Sequence, residues 1–129
     1  MNTKQQGDIG VAKAIYFYTA SGYTVSIPNT DNAKYDLVVD KDGKLNRVQV
    51  KTTTFQAPSG SYQVMLRTMG GNQSWSGVYK RIYKDDVDFL FVACEDGSIY
   101  EFPSEVIHNK STVTLGQIYD QYKVALDRW

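Results

Sequence analysis
The chain has 129 residues, 42% apolar, 13% aromatic and 22% charged, enough for one globular domain over residues 1–129 whose core needs neither disulfides nor structural metal. One cysteine, Cys94, and one histidine, His108, exclude a disulfide framework and a Cys/His zinc cluster, and leave His108 alone to carry any Ser-His-Asp or Cys-His chemistry. Fourteen basic and fourteen acidic residues cancel; no apolar run approaches the ~20 residues of a membrane span, and the opening Met1-Asn-Thr-Lys-Gln-Gln-Gly-Asp8 lacks the apolar stretch of a signal peptide, so an intracellular setting with no membrane is expected.

Ile9, Ala12, Ile15, Tyr16 and Thr19 recur at helical spacing, which predicts a helix from Asp8 to about Ala20, stopped by Ser21-Gly22. Tyr23 to Ile27 reads as a short strand. Tyr35 to Asp40 and Leu45 to Thr53 read as strands joined through Lys41-Asp42-Gly43-Lys44, since Asp-Gly between two β-branched runs is a strong hairpin signal. A turn at Ala57-Pro58-Ser59-Gly60 leads into a strand from Tyr62 to Arg67. Met69 to Tyr79, rich in Gly and Ser around Trp75, reads as a loop. Phe89 to Cys94 and Ser98 to Phe102 form a second hairpin through Asp96-Gly97, which predicts Phe91 opposite Phe102 and Ala93 opposite Tyr100. Leu115, Ile118, Tyr122, Ala125, Leu126 and Trp129 mark one face of a C-terminal helix with Thr114 as its N-cap. The order gives a mixed α/β sandwich, with Cys94 in the core and His108 on the surface.

The zero net charge hides a local asymmetry. From Lys44 to Lys84 there are seven basic residues and no Asp or Glu, whereas nine acids face three basic residues from Asp85 onward. A segment that excludes carboxylates suits a polyanion-facing surface, because each uncompensated Lys or Arg displaces a counterion from phosphate. The same stretch is also readable as a solvated basic face neutralised in space by the acidic C-terminal third.

With Asp42 and Gly43 as the two central residues of the first turn, Asp36 lies opposite Gln49 and Val38 opposite Arg47, their Cβ atoms about 5 Å apart. Alternation puts Asp36, Arg47, Gln49 and Lys51 on one face and Leu37, Val39, Val48 and Val50 on the other, apolar one. A carboxylate and an amide oxygen so placed can share a hard cation such as Mg²⁺ with a backbone carbonyl, that of Val50, and waters. Lys51 beside such an ion can orient or help deprotonate an attacking water, or neutralise charge on a transferring phosphate. The face is equally readable as an ordinary solvated surface.

Asp36, twelve intervening residues and then Gln49-Val50-Lys51 resembles the PD-(D/E)XK nuclease signature in its Gln variant, with Tyr35 in the place of Pro. The surrounding text, Lys4-Gln-Gln-Gly-Asp-Ile-Gly10, Gly22-Tyr-Thr-Val25, Tyr35-Asp-Leu-Val-Val39 and Val48-Gln-Val-Lys-Thr-Thr53, resembles group I intron-encoded PD-(D/E)XK homing endonucleases over about the first 55 residues. The likeness continues more weakly through Val87-Asp-Phe-Leu-Phe-Val92 and Tyr100-Glu-Phe-Pro103. The resemblance implies a restriction-endonuclease-like α/β core, a mixed β-sheet flanked by an N-terminal and a C-terminal helix, with β-hairpins. It implies site-specific hydrolysis of double-stranded DNA by Asp36, Gln49 and Lys51, with Mg²⁺ or another divalent metal such as Mn²⁺ at Asp36, Gln49 and the Val50 carbonyl. It also implies a homodimer or homotetramer, since one site cuts one strand, and a bacterial or phage-type cytoplasmic setting.

One departure matters. Val11 aligns where such enzymes carry a helix Glu, leaving one carboxylate at the metal; Asp8, one turn away, is the possible substitute or else the helix N-cap. The departure opens the alternative of a DNA-binding module with an inactivated metal site, beside that of a repair or junction-resolving nuclease on the same fold. Candidate DNA contacts are Arg47, Thr52 and Thr53 next to the motif, and Gln63 and Arg67 on the following strand, suited to adenine and guanine respectively. Asn72, Gln73, Trp75, Lys80 and Arg81 in the loop complete the set. A solvent-facing edge strand and simple strand-forming threonines are the plainer readings of the same residues.

Overall fold
Asn2 fixes where the first helix starts. Its side chain accepts the Gln5 N–H at 2.8 Å, and the Gln5 side chain accepts the Asn2 N–H at 3.0 Å, closing a capping box. Helix α1 therefore runs Thr3–Ala20, more than a turn earlier than apolar spacing alone predicts, and Asp8 lies inside it rather than capping it. The computed structural model describes residues 1–66 and 85–126, together with the backbone of two short strands at Thr68–Met69 and Tyr79–Lys80.

The strands in chain order are β1 (Thr24–Ser26), β2 (Leu37–Lys41), β3 (Lys44–Thr53), β4 (Gln63–Met65), β5 (Thr68–Met69), β6 (Tyr79–Lys80), β7 (Phe89–Cys94), β8 (Ile99–Pro103), β9 (Thr112–Thr114) and β10 (Lys123–Val124). A one-turn helix α2 (Ser104–Ile107) follows β8, and a 3₁₀ helix (Gln117–Tyr122) precedes β10. Six strands make the main sheet in the order β1-β2-β3-β7-β8-β10. All its neighbours are antiparallel except β3 and β7, which run parallel. This is the mixed sheet with an N-terminal helix that the sequence predicts. β4 pairs with β9 and β5 with β6 in two separate ribbons, so Met69 and Tyr79, the ends of the expected loop, are strand partners.

β3 is central, and its alternation divides the molecule. Val48 and Val50 point to the α1 side, where they join Ala14, Tyr18, Leu37, Val39 and Phe91 in one apolar cluster. Gln49 and Lys51 point to the other side, next to Leu90 and Val92, which belong to a second cluster with Val64, Leu66, Phe102 and Val113. The β4–β9 ribbon, α2 and the 3₁₀ helix cover that second face. Each cluster buries several large side chains completely, and each contributes on the order of 1.5–3 kcal/mol per such side chain.

The second hairpin differs from expectation by one residue. Leu90 faces Phe102, Val92 faces Tyr100 and Phe91 faces Glu101. The cause is the turn: Cys94 N–H donates to the Ser98 carbonyl at 2.9 Å, leaving three residues, Glu95-Asp96-Gly97, in the loop, with Gly97 at φ 92°. A three-residue loop closed by a left-handed glycine shifts the pairing by one from the two-residue turn assumed. Phe102 and Tyr100 consequently stack on the second face, with ring centroids 5.9 Å apart, while Phe91 joins Phe17 and Tyr18 under α1.

The expected C-terminal helix is instead the 3₁₀ helix followed by β10, and Thr114 lies in β9 rather than at a helix N-cap. Tyr119 and Tyr122, three residues apart, both pack on Phe102 at 5.5 and 5.2 Å between centroids. That spacing matches a three-residue turn, and Ile118, assigned by helical spacing to the buried face, is 77% exposed. β10 then takes the edge of β8. Trp129 lies outside the described residues; Cys94 is buried and His108 exposed, as predicted.

A polar cluster fastens α1 to the sheet. Tyr18, fully buried, donates its hydroxyl to Glu101 at 2.5 Å, and the Lys41 ammonium lies 3.5 Å from Glu101 and 4.3 Å from the Phe89 ring centroid. Burial, reinforced by the Glu101 charge, holds the Tyr18 phenol well above its ordinary pKa.

α1 approaches β3 most closely at Gly10, where an added Cβ would sit 2.5 Å from Thr52 Cγ2 and 3.2 Å from Val50 Cγ1. Gly10→Ala gains at most about 1 kcal/mol of helix propensity and incurs about 1–3 kcal/mol of overpacking. It is expected to lower stability in urea melts, and Thr52→Ser, which removes the opposing methyl, should restore most of the loss. Gly7→Ala, with nothing within 4 Å of its Cβ, should stabilise the same helix. A stable Gly10→Ala would show that the helix can ride up at no cost.

Candidate active site
The first hairpin has the register that its Asp-Gly turn predicts: Leu37 faces Val48, Val38 faces Arg47 and Asp40 faces Leu45. Asp36, just ahead of β2, donates its N–H to the Val48 carbonyl at 2.8 Å; Val48 is already the partner of Leu37, so the one-to-one register ends there and does not run on to Asp36 and Gln49. Beyond it β2 has no further backbone to offer, and the Asp36 side chain takes over: Oδ2 accepts the Val50 N–H at 2.7 Å and the Gln49 Nε2 at 3.3 Å. Asp36 and Gln49, predicted to oppose each other in the ladder, meet instead through their side chains just beyond it. A strand residue directs its N–H and C=O to the same side, so the Val50 carbonyl also faces the β2 edge where Asp36 sits. Lys51, two residues beyond Gln49, shares its face.

Electrostatics set this cluster apart from a solvated surface. Burial raises the Asp36 carboxyl above its ordinary pKa, although the Val50 N–H and the Lys51 charge both pull it down. Burial lowers the Lys51 ammonium below its ordinary value, opposed by the Asp36 charge. Asp40, by contrast, spends its Oδ1 on the Gly43 N–H at 2.8 Å, inside the turn.

The donor set can be tested against a dication. Among the described residues no group of three or more His, Cys, Asp and Glu gathers in a metal-binding cluster. What remains is one carboxylate, the Gln49 amide oxygen and the Val50 carbonyl. Those fit a hard, oxygen-seeking ion such as Mg²⁺, which is held by one or two carboxylates and keeps its other positions for water and substrate phosphate. Sharing an ion requires the Gln49 amide to turn, because its NH₂ now faces Asp36 and an NH₂ cannot ligate. Val11 packs against the α1-side cluster, and Asp8 is exposed on α1 with Lys4 at 3.8 Å.

The residues named as DNA contacts divide. Arg47 is committed within the chain: its N–H donates to Asp88 Oδ2 at 2.7 Å, its Nε to the same oxygen at 3.2 Å and a terminal nitrogen to the Asp85 carbonyl at 2.9 Å. Burial alone would raise the Asp88 carboxyl, but these Arg47 donors hold it below the usual range. Thr53 is 7% exposed and donates its hydroxyl to the Gln63 carbonyl at 2.5 Å, which turns it inward. Thr52 is half-buried against Gly10. Gln63 lies on β4, its Nε2 donating to Thr114 Oγ1 at 2.9 Å. Arg67, Asn72, Gln73, Trp75 and Arg81, and the side chain of Lys80, lie outside the described residues. Asp88 is the important residue that the sequence reading missed, because its partner is 41 positions away; its one signal was an acid immediately before an apolar strand.

Comparison with known proteins agrees with this geometry. The chain is 37% identical over 105 residues to Protein 5.3 of Escherichia phage T7, covering 79% of this chain and 80% of that protein. Its fold superposes on the bacterial homing endonuclease I-Ssp6803I with a TM-score of 0.76 and 30% identity, over 91% of this chain and 80% of that one. A sequence profile described as PD-(D/E)XK endonuclease matches residues 1–122. With a hairpin that joins Asp36 to Gln49 and sets Lys51 beside them, the chain belongs to the PD-(D/E)XK endonuclease family.

Proposed function
We propose that the protein is a site-specific DNA endonuclease of the homing type that hydrolyses phosphodiester bonds with Mg²⁺ or Mn²⁺, acts as a homodimer or homotetramer, and works in the cytoplasm of a bacterium or phage-infected cell. The observation that carries the reading is the Asp36–Gln49 contact with half-buried Lys51 on the same face. Asp36, Gln49 and the Val50 carbonyl would hold the ion, which supplies Lewis acidity to the scissile phosphate. Asp36 is held in place by the Val50 N–H, so its carboxylate meets the substrate without reorganising. Lys51 orients the attacking water and, while protonated, offsets charge growing on the phosphate oxygens. The homing-type activity named for I-Ssp6803I and the phage origin of Protein 5.3 support the same assignment. Two sites, one per strand, account for the oligomer.

A second reading, a DNA-binding module with an inactivated site, is favoured by Val11, which is engaged in apolar packing where a helix carboxylate is expected. Cleavage of randomised DNA with Mg²⁺ and with EDTA, followed by sequencing of the new ends, separates the two. The wild type is expected to give metal-dependent ends clustered at one motif. Cutting by Val11→Glu alone would establish the inactivated site, and cutting by neither would leave a binding module.

Lys51→Ala is expected to lower the cleavage rate by about 10²-fold or more while gel-shift affinity in EDTA survives. Loss of both together would make Lys51 structural. Lys51→Arg should rescue only in part, because it restores the charge on a wider group that does not release its proton.

Both perturbed groups also make a stability prediction. A carboxyl raised above its ordinary value of 3.8 contributes stability at low pH and loses it as pH climbs through the folded value. An ammonium lowered below 10.5 contributes at high pH and loses it as pH falls through the folded value. Through the neutral range both contributions are absent, so the charged pair costs the fold stability. The double variant Asp36→Asn/Lys51→Met is therefore expected to melt higher than the wild type at pH 7, with the difference narrowing as pH falls through the Asp36 titration. A lower melting temperature would mean that the mutual attraction outweighs burial.

A further inference from the structure
The ribbon beyond the active site presents an outward face that the fold itself does not use. Val64 and Val113 point into the second core cluster, so their neighbours Gln63, Met65, Thr112 and Thr114 point outward. Gln63 N–H donates to the Phe55 carbonyl at 2.9 Å and Gln56 pairs with Tyr62. Phe55 therefore stands opposite Gln63 and shares that face. Phe55 is 60% exposed and Met65 57% exposed. The Phe55 N–H donates to Thr53 Oγ1 at 3.2 Å, and the Gln63 side chain between the two apolar groups is hydrogen-bonded to Thr114 Oγ1 at 2.9 Å. Two large apolar side chains turned to solvent on one face of the ribbon offer a contact surface.

Resting on the nuclease reading above, we infer that this face enters the major groove of duplex DNA and reads thymine C5-methyl groups through Phe55 and Met65. A two-stranded ribbon fits that groove, and the thymine methyl is the one apolar feature its floor displays. The face itself carries no carboxylate: Phe55, Gln63, Met65, Thr112 and Thr114 are uncharged, and the neighbouring Glu95 accepts the hydroxyl of Tyr62, whose side chain alternates to the opposite face. Reach agrees as well. Phe55 follows Lys51 by four residues, at most about 13 Å of strand at ~3.3 Å per residue, or about four base steps at 3.4 Å each. One duplex can therefore lie against Lys51 and the ribbon together.

The test uses the full chain in EDTA, selecting binding sites from randomised duplex DNA and then replacing each selected thymidine by deoxyuridine, which removes only the methyl. Wild-type affinity is expected to fall about three- to tenfold at one or two positions. Phe55→Ala and Met65→Ala should bind the thymidine duplex more weakly and respond little to deoxyuridine at the same positions. Phe55→Leu, which keeps an apolar contact, should retain part of the response. A wild type indifferent to deoxyuridine everywhere overturns the proposal, as does a Phe55→Ala variant with undiminished sensitivity. A change in sedimenting mass on Phe55→Ala, with the methyl response intact, would assign the face to a second copy of the chain instead. Failure of the wild type to bind any DNA would overturn the nuclease reading itself, a result separable from the others because no methyl comparison would then be reached.

Discussion
The hydrogen bond from Val50 N–H to the Asp36 carboxylate is the constraint on which the site depends. It forms where the β2–β3 ladder runs out of backbone partners, so it ends the hairpin and fixes the carboxylate in a single act. The Asp-Gly turn sets the register six residues away from Asp36, and a slip of one would bring Gln49 to the apolar side and carry Val50 into the polar cluster. Architecture and chemistry are in that sense one decision made at Asp42-Gly43.

β3 serves two layers because strand side chains alternate. Its even positions close the cluster under α1, and its odd positions Gln49 and Lys51 lie on the other face beside Leu90 and Val92. The polar residues are consequently half-buried by the same packing that stabilises the sheet. That burial disfavours charge on both Asp36 and Lys51, the kind of perturbation that clusters at functional sites.

Much of this was legible in the sequence, for identifiable reasons. The first hairpin was readable because two-residue Asp-Gly turns allow one register, and the buried Leu37, Val39, Val48 and Val50 agree with it. The second hairpin differs by one residue, since the same dipeptide also closes a three-residue loop: Gly43 and Gly97 share nearly the same φ, 88° and 92°, and the difference lies in Asp42, left-handed at φ 54°, where Asp96 is not. The helix start was missed because Asn2 and Gln5 act through hydrogen bonds rather than apolar spacing. The C-terminal helix failed for a tertiary reason: Tyr119 and Tyr122 are recruited by Phe102, and β10 by the open edge of β8. The hold of Asp88 on Arg47 was not legible, because the two are 41 positions apart and no local spacing links them.

The Arg47–Asp88 pair has a consequence for how such a protein can change. Asp88 N–H donates to the Arg47 carbonyl at 2.9 Å while its carboxylate takes the Arg47 N–H, a reciprocal clasp at the point where β7 first meets β3. The parallel register is thereby set locally, at the end of the long crossover, and not by the crossover's length. Val64, Leu66 and Val87 of that crossover are committed to the second core cluster, but exposed positions such as the turn at 58–60 can change in length while the clasp returns the chain to the same alignment. Variation in that turn therefore leaves the spacing of Asp36, Gln49 and Lys51 untouched, because the strand that carries the last two is aligned from its other side.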